Sequence, residues 1–309
     1  MSNKKKKKKS QPIGLYIAVI AFFVVLALLE AFIKKSHSNS YTYNQTKTLE
    51  KETDATSTSE DIQLYKGLEI PICGATHNEN DHEIRYFHNY ALCYRESYEQ
   101  AEWSAYCLNA NQLTKNTERS NDFRADNSIS TGSASLADYK GSGYDRGHLT
   151  PAADMAFNNQ AMSETFFMSN MSPQHPQFNR GIWMHLEAQV RDWTKQFGKV
   201  YVITGPILEK DSSSYKSIGV NNVAVPDFYY KVILVPLYQN KEDYETPDTS
   251  KAVMAIGFII PNKGTEKPYW DYAVTIDEVE KRTGLDFFSL LEDDIEDSVE
   301  ASFVIDNWK

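Results

Sequence analysis

Between Asn179 and Phe197 the apolar side chains Trp183, Leu186, Val190, Trp193 and Phe197 recur at spacings of three, four, three and four, the period of a helix with one buried face. Gly198 then ends it. Segments of another kind bracket this helix. Val200–Thr204, Phe228–Leu237 and Ala252–Ile260 are apolar runs of strand length, and Thr165–Met168 reads as a shorter buried strand. Tyr90–Tyr94 and Trp103–Leu108, separated by the more polar Arg95–Glu102, are hairpin-like. A second helix is expected over Ile276–Arg282, with Thr275 at its start and Gly284 just after its end. One strongly periodic helix among several strands predicts a mixed α and β domain rather than a bundle or a sandwich.

With 309 residues, 41% hydrophobic and 24% charged, the chain is globular in composition, which excludes a mainly disordered, collagenous or polytopic membrane protein. Its charge is uneven. Residues 1–35 carry eight lysines against Glu30, so the rest holds 24 basic and 41 acidic groups, a net −17. That excess argues against a broad basic coat for nucleic acid, though not against a local cationic cleft. The six lysines Lys4–Lys9 precede seventeen uncharged residues, Ile13–Leu29. At about 1.5 Å per residue, Ile13–Ile33 spans a hydrocarbon core of about 30 Å. The run is longer than a signal-peptide core and ends in a poor cleavage site, so residues 1–35 are expected to be an uncleaved anchor in the lipid bilayer. Six lysines before the run against two after it place the N-terminus in the cytoplasm and the body outside it. A bacterial envelope is expected, with a mitochondrial inner membrane as the alternative. Residues 36–64 are polar and stalk-like. Residues 291–309, with six acids among the nine positions Glu292–Glu300, read as a solvated acidic tail. Cys93 and Cys107 are candidates to face each other across the hairpin, with Cys73 an equally available partner.

Chemistry-bearing residues concentrate between Asp145 and Arg191. Asp145-Arg146-Gly147-His148 sets an acid, a guanidinium and an imidazole together, beside a glycine expected to permit an unusual backbone turn. Asn170 follows a strand-like segment. Asn179 sits at the entrance of the periodic helix and offers a hard carbonyl oxygen, suited to Mg²⁺ rather than to a thiolate-loving metal. Glu187 and Arg191 are four residues apart on one side of that helix, where the bland alternative is an exposed ion pair worth about 0.3–0.5 kcal/mol. Asn179 and Glu187 lie about 12 Å apart by helical rise, which assigns Glu187 to the ion's hydration shell rather than to the ion. His175 and His185 read as structural.

The string Asp138–Asp154, with Tyr144-Asp145-Arg146-Gly147-His148-Leu149 at its centre, resembles the signature of the DNA/RNA non-specific endonucleases, members of the ββα-metal or His-Me finger group. Asn170-Met171-Ser172-Pro173-Gln174 and Asn179-x-Gly181-x-Trp183-x-x-Leu186-Glu187 fit the same family. The similarity covers residues 65–290. It implies an α+β fold with a mixed, mainly antiparallel sheet, packed helices and a ββα-metal active-site motif. It further implies Mg²⁺-dependent cleavage of DNA and RNA to 5′-phosphate ends, Mn²⁺ being the expected substitute. By family role His148 is the general base, Asn179 the direct metal ligand and Glu187 a ligand through water. Arg191 stabilises charge on the phosphate and leaving group, and Arg146 contacts phosphate. Asn170 orients the base or the water. Arg119, in preference to Arg124, is the further phosphate-binding arginine, and Arg180 joins the cationic cleft.

Physical chemistry supports that assignment independently. Phosphodiester hydrolysis needs a nucleophilic water, a cation to neutralise developing charge, and help for the departing oxygen. Neutral imidazole accepts a proton near pH 7. Contacts to phosphates rather than base edges give cleavage without sequence preference. Two readings compete: a nucleic-acid binding or uptake protein without turnover, and a phosphodiesterase for a small or lipid-linked substrate.

Overall fold

The computed structural model describes residues 67–73, 80–237 and 253–309. The expected anchor (13–33) and the whole stalk (36–64) lie outside the described residues, and among those described no helix is long and apolar enough to cross a membrane.

The short β1 (Ile72–Cys73) precedes β2 (His82–Tyr86), β3 (Ala91–Arg95) and β4 (Gln100–Asn109). Next come β5 (Asp145–His148), β6 (Met171–Gln174), β7 (Lys199–Pro206), β8 (Ser217–Ile218) and β9 (Val223–Ala224). The chain finishes its strands with β10 (Phe228–Pro236), β11 (Val253–Pro261), β12 (Ala273–Val274) and β13 (Leu285–Asp286). Seven of these form one sheet in the order β12-β11-β10-β7-β4-β3-β2. Every neighbouring pair in it is antiparallel. The expected mainly antiparallel α+β fold is therefore observed.

Strand alternation divides the core. On β10, Tyr229, Ile233 and Val235 face a cluster with Trp183, Leu186, Val190 and Trp193. The last three line one side of helix α3 (Met184–Phe197), with Trp183 just before its start; α3 follows the short helices α1 (Leu136–Tyr139) and α2 (Asn159–Glu164). The alternate residues Tyr230, Val232 and Leu234 face the opposite cluster, with Ile276, Val279 and Val299. Ile276 and Val279 belong to helix α4 (Ile276–Thr283), capped as expected by Thr275, whose side chain accepts from the Glu278 amide, and closed by Gly284 at φ 71°. The sheet thus separates an α3 side from an α4 side.

Several expectations are corrected. Thr165–Met168 is not a strand: Phe167 makes an isolated bridge to Arg124, Met168–Asn170 is a 3₁₀ turn, and the strand is β6 immediately after it. Cys93 pairs in register with Trp103 and Cys107 with Tyr201, so the two thiols do not face each other, and both are free. The segment 291–309 is not a solvated tail. Asp293–Ala301 is helix α5, and Trp308 is 1% exposed with Trp193 Nε1 donating to its carbonyl at 2.8 Å. The physical reason is apolar content: burying a side chain such as Val299 or Trp308 contributes about 1.5–3 kcal/mol, enough to dock an otherwise acidic segment.

Candidate active site

His148 ends β5, which pairs with β6 in a two-stranded ribbon, and α3 follows through a connecting turn. Gly147 lies opposite Ser172 in that ribbon. A Cβ there would fall 2.1 Å from Gln174 Cδ, so the glycine is needed for close approach of Gln174 and not for the unusual turn expected of it. Turning falls instead to Gly141 (φ 73°) and Gly143 (φ 85°) just upstream.

The imidazole is 9% exposed, and its Nε2 is buried without a hydrogen-bond partner. Phe166 and Phe123 wall it edge-on, with centroids at 4.9 and 5.8 Å. Each ring carries a guanidinium: Arg146 lies 3.9 Å over Phe123, and Arg119 4.8 Å over Phe166. Burial first, and then Arg119 and Arg146, push His148 down to about 3, so the ring is neutral at any working pH. The pKa of Arg119 is itself lowered, chiefly by burial, with Glu187 acting to raise it and Arg146 to lower it. Arg124, the alternative, is turned away, over Phe167 at 4.0 Å and paired with Asp122 at 2.8 Å. Of the two arginines, Arg119 is the one that stands beside the imidazole's aromatic wall.

Asn179 does not begin a continuous α-helix. Phe178–Trp183 is a separate π-helical turn broken at Gly181 (φ −112°, ψ −113°), so the simple helical-rise separation from Glu187 does not apply. Asn179 Nδ2 donates to Asp145 Oδ2 at 3.0 Å. Because an ionised carboxylate can only accept, this fixes the amide's orientation and turns its oxygen the other way. Asp145 also takes both ends of Arg180, at 2.8 and 2.6 Å. Arg180 is thus an exposed partner of Asp145, not the free cleft cation expected. Burial opposes the charge of Asp145, but the bonds from Arg180 and Asn179 bring its pKa below the ordinary value.

Arg191 does not pair with Glu187. Its Nη1 donates to Asp154 Oδ1 at 2.8 Å, and Tyr106 donates to Oδ2 at 2.6 Å. The Asp154 side chain has no exposed surface. Glu187 is left half-buried, and among the described residues it has no hydrogen-bond partner. Burial raises its pKa, while Lys231, Arg191 and Arg119 act to lower it. Lys231 is fully buried on β10, donates to Thr204 Oγ1 at 2.5 Å, and lies 4.8 Å over the Trp183 ring. Its pKa is lowered by burial, against the pull of Glu187. The sequence did hold a signal for it, one lysine inside the apolar run Phe228–Leu237, and one for Asp154 at the end of the quoted motif.

Asn170 is expected to orient either the base or the water, and its bonds lead to the backbone beside the base. It is fully buried: its Nδ2 donates to the carbonyls of Thr150 (3.0 Å) and Thr165 (2.9 Å), and its Oδ1 accepts from the Thr150 amide (2.9 Å). With both amide hydrogens engaged it orients no water. It holds the chain just beyond His148 and is a positioning residue. His185 is exposed and His175 partly so, and neither joins the site.

A hollow of about 390 Å³ is lined by Arg119, Arg191 and Lys195 among others, and one of about 360 Å³ by Tyr144, Asp145 and Arg146. Arg119 and Arg146 lie over the two rings that wall a buried imidazole, and Asn179 and Glu187 offer hard oxygens. This is the equipment of a metal-dependent phosphodiester hydrolase. The chain belongs to the DNA/RNA non-specific endonuclease family, whose model matches residues 72–294. It is accordingly a hydrolase of the metal-dependent endonuclease class.

The chain is 39% identical over 217 residues to nuclease C1 of Cunninghamella echinulata var. echinulata, a match covering 66% of this chain and 82% of that protein. It is 37% identical over 257 residues to the mitochondrial nuclease EXOG of Xenopus laevis, covering 75% and 69% respectively. Human mitochondrial endonuclease G is 34% identical over 210 residues, covering 64% and 67%. Among solved structures, a chain of the EndoG/EndoGI complex superposes with a TM-score of 0.63 at 32% identity, covering 77% of this chain and 95% of that one.

Proposed function

We propose that this chain is a membrane-anchored, Mg²⁺-dependent endonuclease that hydrolyses phosphodiester bonds of DNA and RNA without sequence preference, leaving 5′-phosphate ends. The observation that carries the reading is the buried, unpartnered Nε2 of His148 set between the guanidinium groups of Arg119 and Arg146. Burial is the main cause of the depressed imidazole, and a phosphate drawn to those two arginines offsets the part that their charges add, so substrate binding makes the ring a better base. His148 then takes a proton from the attacking water as its oxygen bonds to phosphorus and the bond to the 3′-oxygen breaks. Arg191, aimed by Asp154, offsets charge on the phosphoryl group and the departing oxygen.

Asn179 would hold the Mg²⁺ directly and Glu187 would reach its hydration shell; both are hard oxygen donors, and neither oxygen is spent on a protein partner. When bound, the ion supplies Lewis-acid neutralisation of the scissile phosphate. With Arg119, Arg146 and Arg191 meeting phosphate, affinity for nucleic acid should fall with salt with a log–log slope of about −3.

Anchoring through Ile13–Ile33 rests on the uncharged run and its flanking lysines. The same asymmetry sets the N-terminus in the cytoplasm and the domain beyond it, in a bacterial envelope, and protease accessibility of the domain in intact cells tests that orientation. For the chemistry, plasmid nicking in Mg²⁺ is compared between the wild-type chain and His148→Ala. Loss of at least a hundredfold is expected with the alanine, and equal nicking by the two overturns the reading.

A further inference from the structure

On the α4 side of the sheet, away from His148, three acids converge. Asp277 and Glu280 are three residues apart on α4 and therefore share a side of it. Glu300 comes from α5. One carboxylate oxygen from each of the three lies within 4.8 Å of the others. Crowded acids are common on protein surfaces, but Glu300 is not on the surface. It is 6% exposed, and its Oε1 is buried with no hydrogen-bond partner. Glu280 is half-engaged, with Oε1 accepting from the Phe287 amide at 2.8 Å and its second oxygen left over.

Nearby cations do not answer these charges. Lys281 reaches Glu278 at 3.4 Å and Arg282 reaches Glu209 at 2.7 Å. The charged groups nearest Glu300, namely Glu280, Glu296, Asp286 and Asp277, are all acids. A buried carboxylate oxygen without a donor is costly, and a bound cation is one way to satisfy it.

We propose that Asp277, Glu280 and Glu300 form a second metal site, taking a calcium-like divalent cation that pins α5 onto α4. The donor set is carboxylate throughout, without the histidine or thiolate that zinc selects. Three carboxylates from two helices suit the flexible coordination of Ca²⁺, with six to eight oxygens at about 2.3–2.6 Å, better than the rigid octahedron of Mg²⁺. Since α5 leads to Trp308 in the core beside α3, the ion would tie the C-terminal segment to the domain.

Calcium titration calorimetry and thermal denaturation of the EDTA-treated full-length chain in detergent test this. Asn179→Ala serves as the background, so that the nuclease centre lacks its own ligand. One Ca²⁺ per chain is expected, with a melting temperature raised by roughly 5–10 °C at calcium a hundredfold above its Kd. Glu300→Gln and Asp277→Asn, each added to that background, should abolish both the heat and the shift. If Glu300→Gln fails to fold, the exposed Asp277→Asn decides alone. No calcium heat in the background protein, or heat that persists in Asp277→Asn, overturns the proposal. Neither result bears on nuclease activity, which is read separately in Mg²⁺ with Asn179 restored.

Discussion

Arg191 owes its position to Asp154, and replacing that acid by asparagine gives a quantity that can be worked out. The carboxylate has no exposed surface and receives two short bonds, 2.8 Å from Arg191 and 2.6 Å from Tyr106. Asparagine keeps the shape but presents an NH₂ to one of two groups that are both donors. Removing one partner of a buried ion pair costs about 3–5 kcal/mol. The Arg191 side chain is 24% exposed, so solvent recovers part of this and about 2–4 kcal/mol is the expected loss. Urea denaturation of the wild type, Asp154→Asn, Arg191→Met and the double variant closes a cycle, and a coupling of about 1–3 kcal/mol is expected. Nicking by Asp154→Asn should fall nearly as far as by Arg191→Met, because a displaced guanidinium no longer meets the phosphate. A coupling below about 0.5 kcal/mol, or full activity in Asp154→Asn, would refute the idea that the buried acid aims the arginine.

Gly147→Ala forces a Cβ into the Gln174 side chain and should destabilise by about 1–3 kcal/mol, with activity lost through displacement of His148; a urea midpoint and nicking rate equal to wild type would contradict this. His148 is held from its ordinary 6.5 down to about 3, so the unfolded chain takes up a proton that the folded one refuses. The stability it contributes is present above pH 6.5 and lost as pH falls, and between pH 6.5 and 5 the wild type should lose about 2 kcal/mol more than His148→Gln; parallel stability curves would sink the claim. Glu300 has the opposite sign, its pKa raised from 4.5 to about 9, so its favourable contribution is present below 4.5 and lost as pH rises. In calcium-free buffer at pH 8, Glu300→Gln should therefore be more stable than wild type by about 1–3 kcal/mol, an advantage that fades by pH 4.5. Asn179→Ala should need much higher Mg²⁺ for any residual nicking, as a cation titration of the rate would show.

Much of this architecture could be read from side-chain periodicity. The recurrence from Trp183 to Phe197 marks α3, and long apolar runs mark β7, β10 and β11, because burial on both faces leaves a continuous signal. Local breaks were less legible. Gly181 interrupts the helix entrance through tertiary packing of Phe178 and Trp183, and no one-dimensional period reports such a kink. The site residues His148, Asn179 and Glu187 were visible as a motif, but their partners were not. Asp154, Tyr106 and Lys231 meet α3 only because β4 and β10 lie beneath it, contacts spanning 37 or more positions in the chain. Asn170 and Arg180 show the converse, polar residues in the motif whose bonds go to the scaffold. The acidic segment after Glu292 misled for a different reason: six acids obscure the few apolar side chains that dock it.

Diffraction from a crystal of the His148→Ala protein soaked with Mg²⁺ and an oligonucleotide addresses the base and the ion together. One magnesium on the side-chain oxygen of Asn179 is expected, with the scissile phosphate between Arg119 and Arg146 and a water in the space vacated by the imidazole. A phosphate seated elsewhere, or magnesium that ignores Asn179, would contradict the account.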